Sequence, residues 1–384
     1  MNRSPLMQTS TPVHSTKEMM AMRKASLAKE QSILSSLSLL AQALVGMALY
    51  LYDHVSTPGY LSIFLGLPLL ILILWLSLYL YRRAPQGCVL ALARPFLGRL
   101  LGAILTGVFL LDSQMAAFAI SALLSDALPY LSPFLTMLAV SLMLAAAIAG
   151  DDPYALPRLG RLLRWPMLAA LVLCGLAALH HGSVSYLFPA LGEGAPTILK
   201  GSLWMSGGLA GACCPLILPL SAPRLFPLQQ ENKLLYRPIL GAGLFCCLYG
   251  VLAACTLPFY ALARPESLGW RLLLFTKISG SALTWSLLLF TLLFLLLITL
   301  SAGILRAAEV IGWMQGKKKP SAPLICSLLL LIAPAASLKT LPVQQFLISM
   351  APFRSGAVLL TLIVLWICAR RRGKICPQEQ EEQP

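Results

Sequence analysis

The chain has 384 residues, 58% of them hydrophobic and only 11% charged. Soluble domains carry roughly a quarter charged residues, so the composition excludes an ordinary soluble protein and places most of the chain in lipid. The formal charge of +15 would suit a nucleic-acid binder, but the basic residues fall in short clusters between apolar stretches, which is the pattern of membrane topology and not of a phosphate-binding face.

Residues 1–30 are polar, carry Lys17, Arg23, Lys24 and Lys29, and lack the apolar core and cleavage site of a secretory signal. They read as a cytoplasmic tail with helical character over 19–31. Taking about 20 apolar residues as one crossing, ten spans follow, near 33–52, 60–81, 101–124, 131–150, 163–181, 198–220, 237–260, 280–305, 322–337 and 350–369. The expected fold class is all-α integral membrane, with a ten-helix domain over 31–370 and a cytoplasmic tail over 371–384, where ARRRGK gives way to EQEEQP. With the N-terminus inside, nearly all basic residues face the cytoplasm. Only Lys200, Arg264, Arg271, Lys277, Lys339 and Arg354 fall outside or at outer span ends, as the positive-inside rule requires.

Within the first span, Gln42 and Gly46 interrupt the apolar run at mid-depth. The stretches 87–99 and 265–277 mix apolar and basic residues and read either as interfacial helices or as connecting loops. Asp112 lies near the middle of the third span. A carboxylate there costs at least about 2.5 to 3.5 kcal/mol, so it should face the bundle interior or water. It is a candidate counter-charge or proton site, or a structural hydrogen-bonding group with Ser113 or Gln114.

The sixth span is the most unusual. A loop with Pro189, Gly192, Gly194 and Pro196 leads into it, and Ser206, Gly207, Gly208 and Gly211 fall midway, before Pro215 and Pro219. Broken membrane helices are tolerated where they line a cavity, and their freed backbone groups can hold a small polar ligand. The other reading of these small residues is close helix packing. Ten spans divide into five plus five, and inverted five-helix repeats place their site at breaks in the first helix of each half. The candidate ligand-binding residues are therefore Gln42, Gly46, Asp112, Ser206, Gly207, Gly208 and Gly211. Trp204 and Met205 either wall that pocket or simply pack. Lys200 reads as a snorkelling cation, His180 and His181 as interfacial histidines, and Arg306 with Glu309 as a local pair near the inner end of span eight.

The ten cysteines show no metal-site spacing and read as small buried hydrophobes. No phosphate loop, HExxH or nucleophile elbow occurs, so neither an enzyme nor a cofactor or metal site is expected.

The run LFPALGEGAPTILKGS at 187–202, the glycine-rich stretch after it and PLILPL resemble the spore germination permease family. FLGRLLGAIL at 96–105 and GDDPYALPRLGRLL at 150–163 look like that family's approach to the third span and its basic connection between spans four and five. Two features depart from it. Residues 206–220 contain no carboxylate, and KISGSALTWSLLLF at 277–290 lacks the family's Arg/Glu pattern. The resemblance implies a LeuT-type fold of the amino acid/polyamine/organocation superfamily. It also implies a B-type germinant-receptor subunit in a spore inner membrane, sensing a small nutrient such as an amino acid beside a large A subunit and a lipoprotein C subunit. The alternatives are an ion-coupled amino acid transporter and a non-binding membrane scaffold.

Overall fold

The computed structural model describes residues 30, 32–47, 59–84, 89–127, 134–150, 155–179, 182–187, 194–213, 231–256, 282–316, 321–336 and 340–373. Among these the regular structure is all helical. The α-helices are α1 Ser32–Gly46, α2 Gly59–Arg83, α3 Pro95–Ala127, α4 Phe134–Ala149, α5 Ala155–Leu179, α6 Ala195–Cys213, α7 Glu231–Thr256, α8 Ala282–Gln315, α9 Ala322–Ala336 and α10 Thr340–Gly373. Six contain stretches long and apolar enough to cross a membrane, namely α2, α3, α5, α7, α8 and α10. In lipid a helix is favoured because it satisfies its own backbone groups.

Local chemistry sets several boundaries. Pro95 opens α3, where its missing N–H would have had no partner. Gly194, at φ 109°, precedes α6 and accepts a backbone bond from Ile198. Gly316, at φ 68°, closes α8 in the left-handed conformation that glycine adopts without strain. Within the stretch 87–99, the described residues form a buried 3₁₀ turn, Val89–Leu92, leading to α3. The stretch 265–277, with His180 and His181, lies outside the described residues.

The most extensive contact joins α3 to α8. Three glycines make it close. Gly98 and Gly102 of α3 lie against Trp313, Met314 and Val310, while Gly303 of α8 lies against Phe109 and Ser113. Residue numbers rise on one helix as they fall on the other, so the two run antiparallel. Beside the contacts of α6 with α2 and α10, several others follow a pattern with an offset of five helices: α2 meets α7, α3 meets α8 and α4 meets α9. Likewise α3–α4 is matched by α8–α9, α3–α10 by α8–α5, and α2–α10 by α7–α5. Mid-helix prolines obey the same offset, with Pro68 in α2 and Pro238 in α7, and Pro166 in α5 and Pro352 in α10.

At the residues where breaks are expected, the described backbone is helical. α6 is helical from Ala195 through Gly207, Gly208 and Gly211 to Cys213, so the helix does not come apart at those glycines. Glycine weakens a helix by about 1 kcal/mol relative to alanine in water, but lipid offers freed backbone groups no competing partner. The residues that would follow, including Pro215 and Pro219, lie outside the described residues. α1 is likewise helical through Gln42 and Gly46, and a π turn begins at Met47. Such turns often mark functional sites.

Candidate functional site

Asp112 sits near the centre of α3, and its side chain is buried. Residues 112 and 115 share one face of α3, three positions apart, while 109 and 113 face α8. On the first face stands Arg354 of α10, only 2% exposed. Its Nη1 donates to Asp112 Oδ1 at 2.5 Å, and its Nη2 approaches Met115 Sδ at 3.2 Å. From α1, Gln42 Nε2 donates to the Asp112 backbone carbonyl at 3.4 Å. The Gln42 carbonyl oxygen Oε1 is buried and has no hydrogen-bond partner among the described residues. Arg306 of α8, also buried, places a second positive charge within electrostatic reach of Asp112.

The structure thus joins three helices through one polar group in the middle of an apolar bundle. Moving an ion pair out of water costs several kcal/mol per ion, which the mutual attraction repays only with good geometry. Such a pair contributes little net stability compared with a packed hydrophobic pair. Its position at mid-depth therefore points to function, where polar groups in a membrane interior concentrate.

Of the candidate residues, Gln42 and Asp112 meet directly. Gly46 lies one turn beyond Gln42 on α1, and the adjoining Met47 packs against α7 at Gly250. Ser206 is turned to its own helix, its hydroxyl bonded to the Leu203 carbonyl at 2.9 Å. Its backbone lies against Gly66 of α2, and Ser62 of α2 donates to the Ile198 carbonyl of α6 at 3.0 Å. This part of the sixth span therefore shows the close packing that small residues permit. Gly207, Gly208 and Gly211 have helical backbones, so their amides are not freed at that point. Trp204 and Met205 are buried, and the Lys200 ammonium lies 5.0 Å from the Trp204 ring centroid.

Arg354 lies deeper than the sequence pattern suggests. Arg354 was assigned to an outer span end because the tenth span was drawn from residue 350. The helix starts at Thr340, which puts Arg354 about 21 Å along it. Arg306, read from the sequence as pairing locally with Glu309, is buried within α8. A lone arginine in FLISMAPFRSGAVLL and a lone aspartate in the third span were the available signal, since isolated intramembrane charges generally seek each other. For Asp112 the sequence allows either a counter-charge or proton site, or a structural bond with Ser113 or Gln114. Ser113 instead bonds back to the Phe109 carbonyl at 2.8 Å, facing α8.

Neither a family model nor a curated protein sequence matches the chain. Solved structures do. The manganese transporter of Eremococcus coleocola, in complex with an aromatic bis-isothiourea substituted compound, matches with a TM-score of 0.56 at 13% identity, over 94% of this chain and 80% of that one. A mutant of the same transporter matches with a TM-score of 0.50 at 11% identity, with the same coverage. The chain has a membrane-transporter fold. At this identity the likeness concerns architecture alone: an all-helical, multi-pass membrane protein sharing the fold of that transporter. Within this transporter fold, the Gln42, Asp112 and Arg354 group is the polar centre.

Proposed function

We propose that the chain is a permease-like protein that binds a small polar nutrient, an amino acid, where α1, α3 and α10 meet. The observation that carries this reading is the buried group of Gln42, Asp112 and Arg354, in which the Gln42 carbonyl has no partner among the described residues. An unpartnered buried acceptor costs about 1 to 3 kcal/mol, and a ligand ammonium would satisfy it. Ser206, Gly207, Gly208 and Gly211 would contribute to that site only in a conformation where the sixth span opens.

We further propose that the architecture is ten crossings in a five-plus-five inverted repeat, with both termini cytoplasmic. The helix contacts and mid-helix prolines that recur at an offset of five support it. The setting proposed from the sequence resemblance is a spore germinant receptor in the spore inner membrane, with the chain as its B-type subunit beside A-type and C-type partners. Binding would act without covalent chemistry, by differential affinity for two conformations.

The second reading is secondary transport, favoured by the transporter fold. Uptake of radiolabelled amino acids into proteoliposomes separates the two. Saturable binding without accumulation supports a sensor, sustained accumulation supports a transporter, and no binding of any amino acid leaves only a scaffold.

A further inference from the structure

We propose that the end of the bundle where α2 stops, α3 starts and α10 stops is a docking site for anionic phospholipid headgroups. The buried 3₁₀ turn Val89–Leu92 packs against all three helices. Five exposed arginines flank it: Arg83 at the end of α2, Arg94 and Arg99 at the start of α3, and Arg370 and Arg371 at the end of α10. Phe96 lies 16 residues before Asp112 and Arg370 lies 16 after Arg354. With spans that alternate in direction, as proposed above, the two helix ends stand level, about 24 Å from the buried pair. Residues 59–111 and 340–373 contain no carboxylate. Among the described residues, none of the five side chains has an ion-pair or hydrogen-bond partner.

Two of the five are held in a way that suits a lipid phosphate. On α2, Trp75, Tyr79 and Arg83 follow one another at a spacing of one turn, with ring centroids 5.9 Å apart and the Arg83 Cζ 4.8 Å from the Tyr79 centroid. On α10 the Arg370 Cζ lies 4.2 Å from the centroid of Trp366, again one turn earlier. Each ring is deeper in the span than its arginine, so the guanidinium folds back toward the lipid, whereas a cation at a span end ordinarily extends toward water. A guanidinium laid on a ring keeps its in-plane N–H donors at the edge, set for the paired oxygens of a phosphate. Phe96, exposed between Arg94 and Arg99 in sequence, offers apolar contact that an acyl chain can use and a soluble anion cannot. The positive-inside rule requires only that each connection be basic. Here the fold brings together three helix ends that are far apart in sequence, which concentrates their charge on one patch of the facing leaflet.

The experiment titrates phosphatidylglycerol into the full chain in nonionic detergent micelles and reads the melting temperature, with phosphatidylcholine as the net-neutral comparison. Phosphatidylglycerol is expected to raise it saturably, and phosphatidylcholine is not. An arginine at a membrane surface contributes about fivefold in affinity, so Arg83→Gln with Arg370→Gln should raise the half-saturating lipid concentration about 25-fold. Arg83→Lys with Arg370→Lys keeps the charge but loses the stacked planar fork, and should still weaken binding by about fivefold. Arg158→Gln with Arg164→Gln removes the same charge from α5, which packs against α7 and α8, and should leave the titration unchanged. The melting temperature before lipid is added checks that each variant is folded. Equal weakening by the α5 pair, full affinity in the lysine pair, or an equal response to phosphatidylcholine would overturn the inference. So would competition by millimolar inorganic phosphate beyond that of chloride at equal ionic strength, which would mark a site for a soluble anion.

Discussion

Replacing Gly303 by alanine tests the closest helix contact in the bundle. A Cβ at this position would lie 2.1 Å from Ser113 Oγ, 3.2 Å from the Phe109 carbonyl oxygen and 3.4 Å from Ser113 Cβ. Ordinary contact begins at 3.4 Å, so the first distance falls short by 1.3 Å. Ser113 can rotate away, but its hydroxyl then leaves the Phe109 carbonyl it bonds at 2.8 Å, which costs about 1 kcal/mol. The alternative is to separate α3 from α8, and overpacking of this kind costs about 1 to 3 kcal/mol. Against either stands a gain of up to about 1 kcal/mol in helix propensity. Because that gain is only partly realised in lipid, where freed amides have no competing partner, the expected net loss for Gly303→Ala is about 0.5 to 2 kcal/mol. Gly107 of α3 serves as control, since nothing lies within 4 Å of its Cβ position, and Gly107→Ala should be neutral or mildly stabilising. The Cys246, Cys247 and Cys326 thiols are buried and outside any disulfide, so a thiol-reactive dye reports unfolding on heating. Ser113→Ala combined with Gly303→Ala should recover most of the loss. The reasoning is refuted if Gly303→Ala melts with the unaltered chain, or if removing the Ser113 hydroxyl brings no recovery.

Two further outcomes follow from the same geometry. Arg354→Leu alone should destabilise by about 3 to 5 kcal/mol because it strands the Asp112 carboxylate, whereas Asp112→Leu with Arg354→Leu should regain most of it. Apparent melting temperatures of these two variants and of Asp112→Leu alone check this, and additive losses would contradict it. Gly250→Ala should cost clearly less than Gly303→Ala in the same assay. Its Cβ meets the Ile63 Cδ1 at 2.4 Å, the far end of a flexible side chain that can turn aside.

The sequence made the membrane architecture legible because long apolar runs separated by basic clusters leave few other solutions. Each of the ten described helices falls on an expected span. Gln42 and Asp112 were legible as isolated polar residues in apolar runs. What pairs with them was not, because helix periodicity orders residues within a span but says little about which helices adjoin. Arg354 shows this directly: its meaning depends on α10 beginning ten residues earlier than its apolar stretch suggests, over the more polar 340–349. The glycines of the sixth span misled for a different reason. Small residues serve both broken helices and close packing, and at Ser202 and Ser206 the close approach of Gly66 on α2 shows the second.

The most direct test of a solute site at this polar centre is a thermal-shift panel of the natural amino acids on the full chain and on Gln42→Leu. Leucine has similar bulk but removes the unpartnered carbonyl and the bond to Asp112. At least one amino acid should raise the melting temperature of the unaltered chain, and Gln42→Leu should bind it about tenfold more weakly, the equivalent of one net hydrogen bond of about 1.4 kcal/mol. A panel in which no amino acid shifts the unaltered chain, or in which Gln42→Leu responds equally, would contradict a binding site at the junction of α1, α3 and α10.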